Sequence, residues 1–174
     1  MNGFNKMDEL GGKRLPFFFM IDFEMENVLV FEKEDLEDVF FDVNGVKNHK
    51  IRYGTQDIPI SKGRIPFMKY KKAFDHVHRE LHYGNSFLLN LTKPTEIALE
   101  NTLFEVFLNS KAKYKLFYKD QFVCFSPEPF VKMKDNKISS YPMKGTANAN
   151  IPKAAEKLLA NEKEKSEHYT IVDL

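Results

Sequence analysis

The stretch from Phe122 to Thr146 reads FVCFSPEPFVKMKDNKISSYPMKGT, and it predicts a β-hairpin with a turn at each outer end. Its two strands are the alternating residues Phe130–Met133 and the return segment Ile138–Tyr141. The pair Asp135-Asn136 lies between them and is typical of a tight turn.

One ionisable residue lies in each outer turn of the hairpin. Glu128 follows Ser126-Pro127 and precedes the first strand, whereas Lys144 follows the second strand. Because antiparallel strands place those two ends side by side, an acid and an amine are expected at one place. Glu and Lys at strand ends are most often solvated surface groups, so this pattern by itself also fits an ordinary surface.

Composition limits the class of protein. The chain has 174 residues, is 43% hydrophobic, and carries a net charge of +1 from 26 basic and 25 acidic residues. No clustered basic excess predicts a nucleic-acid or anionic-membrane surface. The single cysteine, Cys124, excludes an internal disulfide and favours a reducing, cytoplasmic location. The apolar run Leu15–Ile21 is far shorter than the roughly 20 residues of a membrane span, so no membrane partner is expected.

The first third of the chain predicts a hairpin, a short helix and a long loop. Residues 1–14 are polar and contain several glycines, so a mobile start is expected. The apolar runs Phe17–Phe23 and Val28–Phe31 predict a hairpin. Leu36, Val39 and Phe40 have helical spacing within Glu34–Phe41, which predicts a helix. Residues 43–66 carry repeated Gly and Pro and predict a long surface loop.

The remaining segments alternate between helices and strands. An apolar stripe predicts a helix over Phe67–Tyr83, and the apolar run Ser86–Thr92 predicts a strand. Further predicted elements are a short helix ending at Leu108, a hairpin of Tyr114–Tyr118 with Phe122–Phe125, and two C-terminal helices, the last over Glu162–Leu174. Hairpins in place of regular βαβ units favour an α+β fold, a mostly antiparallel sheet with flanking helices.

The last predicted helix carries polar residues one turn before its apolar ones. Glu164, Glu167 and His168 precede Ile171 and Val172 on overlapping faces. A carboxylate near an apolar face needs a partner, and Mg²⁺ is a cation that takes few carboxylates and keeps several waters. Glu167 is therefore a candidate magnesium ligand, although an ordinary amphipathic helix explains the same pattern.

Four ordered motifs carry a family resemblance. They are Gly84–Thr92, Ser126-Pro127-Glu128, Pro142–Thr146, and the segment from Ser166-Glu167-His168 to Leu174. Together they are similar to the chorismate-utilising enzymes, and within them to the aminodeoxychorismate synthases of the para-aminobenzoate branch of folate biosynthesis. The resemblance implies half of the chorismate-binding, anthranilate synthase component I-like fold. It also implies Mg²⁺ as cofactor, chorismate as substrate, and ammonia from a glutamine amidotransferase subunit.

The resemblance implies a role for each candidate residue. Lys144 matches a lysine that attacks the ring at C2, Glu128 an acid that protonates the departing C4 hydroxyl, and Glu167 a magnesium ligand. His168 matches a histidine of the anthranilate branch and is included as a catalytic candidate. The residues implied to contact the substrate are Ser126, Gly145 and Thr146.

The resemblance leaves two alternatives open. Lys144 favours amination at C4, because anthranilate-forming relatives usually carry alanine there, but an anthranilate synthase component I remains an alternative. The family sequence continues beyond the position of Leu174, so residues 1–174 are expected to be the N-terminal part of one chorismate-binding domain. Such a part is expected to be inactive alone. A non-catalytic binding or assembly module is the second alternative.

Overall fold

The computed structural model describes residues 2–143 and 145–172 of the chain. The helices are α1 Gly3–Gly12, α2 Phe67–His82, α3 Leu103–Asn109, α4 Ala154–Leu159 and α5 Glu162–Val172. The strands are β1 Phe18–Ile21, β2 Val28–Phe31, β3 Val39–Val43, β4 Val46–Lys47, β5 Ser61–Lys62, β6 Ile97–Ala98, β7 Tyr114–Tyr118, β8 Phe122–Ser126, β9 Lys132–Lys134 and β10 Lys137–Ser139.

The strand pairs whose register is described are antiparallel, in agreement with the predicted α+β class. The chain divides into two compact units. The first unit comprises the residues up to Tyr53 together with Leu103–Phe125, and the second comprises Gly54–Thr102 together with the residues from Ser126 onward.

The first unit is built on a four-stranded sheet in the order β4-β3-β7-β8. Strand β3 pairs with β7 along its whole length, from Val39 opposite Tyr118 to Val43 opposite Tyr114. Helix α3 packs on β7. Val39 and Phe107 are fully buried, and Phe117 is nearly so. Phenylalanine thus supplies most of this core, because its large apolar ring contributes much buried area for each residue.

Strands β1 and β2 form a hairpin, which confirms the hairpin predicted from the apolar runs Phe17–Phe23 and Val28–Phe31. It joins the sheet through aromatic side chains, since the rings of Phe18 and Phe41 stack at 5.0 Å. Within the segment predicted as a mobile start, Gly3–Gly12 form helix α1, which that prediction did not include. Asn2 caps this helix, Leu10 is buried, and Gly3 lies against Val28 of β2.

The helix predicted over Glu34–Phe41 is wrong. A single 3-10 turn covers Lys33–Asp35, and the chain then enters β3 at Val39. Asp38 has a φ of +56°, which a right-handed helix cannot include. Pairing of the aromatic residues of β3 with β7 therefore prevails over their helical spacing.

The predicted loop over residues 43–66 has β4 near its start and β5 near its end, and residues 48–60 between them have no regular structure. Its first part is nevertheless packed onto the first unit. The rings of His49 and Tyr53 both contact that of Phe107 of α3.

In the second unit, α2 confirms the predicted helix over Phe67–Tyr83. Its apolar stripe, however, is exposed at Phe67, Tyr70 and Phe74. The strand predicted over Ser86–Thr92 is not formed, and the Phe87 side chain is 93% exposed. A strand needs a neighbour for its backbone groups, and none of the described residues pairs with this segment.

The central hairpin is present as β9 and β10, with Asp135 and Asn136 both at positive φ in its turn. Both residue types tolerate that conformation, which matches the twist of a two-residue hairpin loop. Helices α4 and α5 follow and contact each other. No helix in the described part of the chain combines the length and the apolar character that crossing a bilayer requires.

Candidate functional site

The turn before the central hairpin is held by its serine. The Ser126 hydroxyl donates to the carbonyl oxygen of Glu128 at 2.7 Å and accepts from the Glu128 N–H at 3.4 Å. This local pair of bonds is the arrangement that serine favours in turns. Ser126 therefore orients the backbone of Glu128, and the structure gives it this positioning contact.

The Glu128 side chain reaches across the open end of the hairpin. Its Oε2 atom accepts a hydrogen bond from the backbone N–H of Met143 at 2.5 Å. Glu128 is half-buried, but the neighbouring Phe130 side chain is 92% exposed and does not enclose the carboxylate. This hydrogen bond thereby connects the turn after the hairpin, at Met143, to the Glu128 side chain in the turn before it.

Two cavities of the second unit share Pro142 as a wall. The first has a volume of about 530 Å³ and contains Glu128 and Ser126, with Ile171 of α5 on its lining. The second has a volume of about 480 Å³ and contains Gly145 and His168. Helix α5 thus contributes side chains to both cavities.

Gly145 lies where a side chain has no room. Its φ is +79°, and a Cβ atom there would approach Glu164 Oε2 to 2.9 Å and Leu158 Cδ1 to 3.0 Å. Glycine alone combines that conformation with that contact at little cost. The absence of a side chain at position 145 therefore lets the Gly145 backbone lie close to Leu158 of α4 and Glu164 of α5.

The candidate metal ligand Glu167 is paired with a lysine of its own helix. Lys163 Nζ lies 2.8 Å from Glu167 Oε1 and 3.3 Å from Glu164 Oε1. The hydrogen bond to Glu167, and then that to Glu164, raise the pKa of the Lys163 ammonium above its usual value. Lys163 thus places one cation between the two carboxylates.

Glu164 and Glu167 are the acidic side chains that could hold Mg²⁺ on this face of α5. Two carboxylates on one helix face suit Mg²⁺, which binds through one or two of them and keeps several waters. The described part of the chain has no group of three or more His, Cys, Asp or Glu side chains arranged to hold an ion. Glu164 and Glu167 by themselves therefore fit Mg²⁺ only as a pair of donors.

The other predicted site residues are placed as follows. His168 is exposed and lies beside Tyr169, with ring centroids 6.2 Å apart, on the cavity that contains Gly145. Thr146 is exposed. Glu167 does not line either of the two cavities. Lys144 lies outside the described residues, between Met143 and Gly145 in the sequence.

Comparison with known proteins decides the family. A family model described as chorismate binding enzyme matches residues 23–174, which is most of the chain. The chain belongs to the chorismate-binding enzyme family.

Two similar relatives share this half of their sequence with the chain. An uncharacterised PabA-like protein of Haemophilus influenzae is 49% identical over 166 residues, which cover 94% of the chain and 51% of the relative. A PabA-like protein of Pasteurella multocida is 44% identical over 171 residues, covering 96% of the chain and 53% of the relative. The chain therefore spans about half the length of the curated relatives that it matches.

A more distant relative carries a named activity. The aminodeoxychorismate synthase component 1 of Salmonella typhimurium is 30% identical over 118 residues, covering 61% of the chain and 26% of the relative. No solved structure matches the chain.

The sequence did not single out Lys163, and it indicated Glu164 only as a polar neighbour of Glu167, without a role at the site. Glu164 lines the Gly145 cavity and shares Lys163 with Glu167. Its spacing of three from Glu167 was a usable signal, because residues three apart share a helix face. The close approach of Glu164 to Gly145 had no such signal, since it joins residues of separate segments.

Proposed function

We propose that the protein carrying this chain aminates chorismate at C4 to give 4-amino-4-deoxychorismate, with ammonia supplied by a glutamine amidotransferase partner. Membership of the chorismate-binding enzymes and the similarity to an aminodeoxychorismate synthase component 1 support the substrate and the reaction class. The observation that carries the proposal is the bond from Met143 N–H to the Glu128 carboxylate, because it tethers the acid to the residue before Lys144.

The reaction divides into two displacements. The Lys144 amine forms a bond to C2 of the ring and loses a proton, while the C4 hydroxyl leaves as water with a proton from Glu128. Ammonia then bonds to C4 and gives up one proton, the C2–N bond breaks, and the departing nitrogen of Lys144 takes up one proton, so that the net products are 4-amino-4-deoxychorismate and water. Covalent catalysis of this kind replaces one difficult displacement by two easier ones.

The remaining candidate residues are assigned to binding. Glu167, together with Glu164, would hold Mg²⁺, and the bound ion would supply positive charge for a ring carboxylate. Gly145 lets the backbone approach closely, and Ser126 orients Glu128. We assign Thr146 to substrate binding, because it follows Gly145 and is exposed. His168 lines the same cavity as Gly145 and is the candidate for proton transfer there.

This chain is proposed to carry about half of the site. The match to about half of each PabA-like relative supports that division. The 174-residue chain alone is therefore expected to form no product. Ammonia-dependent product from the chain alone would contradict the division.

The test uses a chimera in which this chain replaces the matching segment of the Haemophilus influenzae relative. Chorismate, ammonia and Mg²⁺ are supplied, and the product is identified by chromatography. Mass spectrometry is used to detect a lysine–substrate adduct, which Lys144→Ala should abolish. Lys137→Ala, in strand β10 of the same hairpin, is the control and should retain the adduct. Full turnover by the Lys144→Ala chimera removes the covalent mechanism, and anthranilate as product assigns the chain to the other branch.

A binding or assembly module is the second candidate, and one observation favours it. The second unit exposes large apolar side chains, among them Phe87 and Phe130. Calorimetry with chorismate and Mg²⁺, combined with gel filtration, separates the two functions. Heat on addition of chorismate supports a site, whereas self-association without heat supports the module.

A further inference from the structure

The irregular segment Asn48–Tyr53, here called the strap, is fastened to the first unit by three side chains. The Asn48 amide donates to the Val39 carbonyl at 2.5 Å and accepts from the Phe41 N–H at 3.0 Å. At the other end, the Tyr53 hydroxyl donates to Asp42 Oδ2 at 2.7 Å. His49 is the third fastening group.

The hydrogen bond and surroundings of His49 favour its neutral form. Its Nδ1 atom accepts from the Ile51 N–H at 3.3 Å, so the ring proton belongs on Nε2. That Nε2 atom is buried and has no hydrogen-bond partner in the described part of the protein. The ring packs edge-on against aromatic rings at centroid distances of 5.6–5.8 Å, those of Phe40, Tyr53 and Phe107.

The charged groups around His49 come from three strands. Lys47 of β4 and Lys115 of β7 are cations, and Asp42 of β3 is the opposing anion. Lys115 is buried and donates to the Phe107 and Ser110 carbonyls, each at 2.9 Å. Asp42 is already engaged, since it accepts from the Gly45 N–H at 2.7 Å and pairs with Lys47 at 3.5 Å.

We propose that the strap is a pH-sensitive fastener, which neutral His49 keeps closed on the first unit and protonation of His49 releases. A proton on Nδ1 would replace the acceptor by a donor facing the Ile51 N–H. It would also put a charge beside two cations in a partly dry site, where an unpaired charge is costly. The fastener does not depend on the chorismate reaction.

The direction of the pH effect follows from these contacts. Burial, then Lys47, and also Lys115 lower the pKa of His49 below its ordinary 6.5, while Asp42 opposes them. The open strap therefore binds a proton more readily than the closed one. Its opening constant should rise by up to about tenfold for each pH unit below about 6.5, until the pKa of the closed state is reached.

A second titration in the same cluster lies at lower pH. Burial raises the pKa of Asp42, but the hydrogen bonds from Tyr53 and Gly45 and the charge of Lys47 outweigh it and hold that pKa below 3.8. Measurements above about pH 5 therefore report His49 and not Asp42.

Hydrogen exchange of the full chain tests the fastener. Protection of peptides covering residues 48–53 is measured between pH 7.5 and pH 5.0 (roughly the range in which histidine titrates) and corrected for intrinsic exchange. Protection should fall with pH in the unaltered chain. It should be independent of pH in His49→Asn, whose side-chain oxygen can still accept from the N–H two residues on. His76→Gln, an exposed histidine of α2, is the control and should behave like the unaltered chain.

Two outcomes overturn the proposal. One is strap protection that does not change with pH, or that changes equally in His49→Asn. The other comes from NMR titration of the imidazole in the unaltered chain, which needs no variant to fold. A His49 midpoint at or above 6.5 shows that the closed strap does not select the neutral ring.

Discussion

The Glu128 carboxylate accepts a 2.5 Å hydrogen bond from the Met143 N–H, and this bond joins the two turns that flank the central hairpin. The two residues lie 15 positions apart in the sequence. The bond therefore holds the Glu128 side chain against the backbone of Met143, at the open end of the hairpin.

The first prediction distinguishes the role of Glu128 as a proton donor from its role in the hydrogen bond with Met143. Glu128→Gln keeps an oxygen that can accept from Met143 but removes the acidic proton. In the chimera, the rate of 4-amino-4-deoxychorismate formation should fall by about 10²–10⁴, the usual contribution of general acid catalysis. Denaturant unfolding should be almost unchanged. Glu156→Gln, on the exposed face of α4, is the control, and an equal rate loss in both variants would reject the assignment.

The second prediction concerns Gly145. Gly145→Ala and Gly84→Ala place a Cβ at nearly the same φ, +79° and +78°, but only position 145 has atoms within 4 Å of the new carbon. Both variants should lose about 1–2 kcal/mol of unfolding free energy from the left-handed conformation. Gly145→Ala should lose about 0.5–1.5 kcal/mol more, because the ends of the Glu164 and Leu158 side chains must rotate away from the new carbon. Equal losses, measured by denaturant unfolding, would show that the close approach is unimportant.

The third prediction concerns the cation position between Glu164 and Glu167. Lys163→Gln removes the ammonium that competes for these carboxylates, so Mg²⁺ or its probe Mn²⁺ should bind modestly more tightly. Lys165→Gln is the matched control, because Lys165 pairs with Glu162 at 3.4 Å on the same helix. Glu167→Gln should weaken binding in either background. The readout is Mn²⁺ paramagnetic resonance, and identical affinities in all variants would exclude this face as a metal site.

The fourth prediction tests the docking of α1. A Cβ at Gly3 would lie 2.4 Å from the Val28 carbonyl oxygen, whereas one at Gly11 meets nothing within 4 Å. Gly3→Ala should therefore destabilise the protein by about 1–3 kcal/mol through overpacking. Gly11→Ala should stabilise it by about 0.5–1 kcal/mol, because alanine is the better helix former. Thermal unfolding measures both, and stabilisation by Gly3→Ala would show that α1 does not dock as described.

Local sequence signals predicted the elements whose partners are close in the chain. The turn at Asp135-Asn136 and the apolar stripe of α2 are local patterns, and both elements are present. The strand β3 was missed because its stability comes from β7, which lies far away in the sequence. The strand prediction for Ser86–Thr92 was wrong because it rested on local composition alone. Its composition suits a strand, but none of the described residues pairs with it.

In the candidate site, too, the sequence predicted the contacts set by local geometry and missed those that depend on side-chain packing. Hairpin geometry placed Glu128 near the segment of Lys144, and the structure brings Glu128 to Met143. The role of each candidate residue stays a prediction. Residue spacing could not show that Lys163 bridges Glu164 and Glu167, because solvent-exposed lysines choose among several acids within reach.

The Asn48 side chain has a consequence for how this protein behaves among its own copies. Its amide group donates to Val39 and accepts from Phe41, as the peptide group of an adjoining strand would. Backbone positions along this margin of β3 are thereby already occupied. Where β3 extends past the short strand β4, a strand from another molecule would have to displace Asn48 before it could pair with Val39 and Phe41.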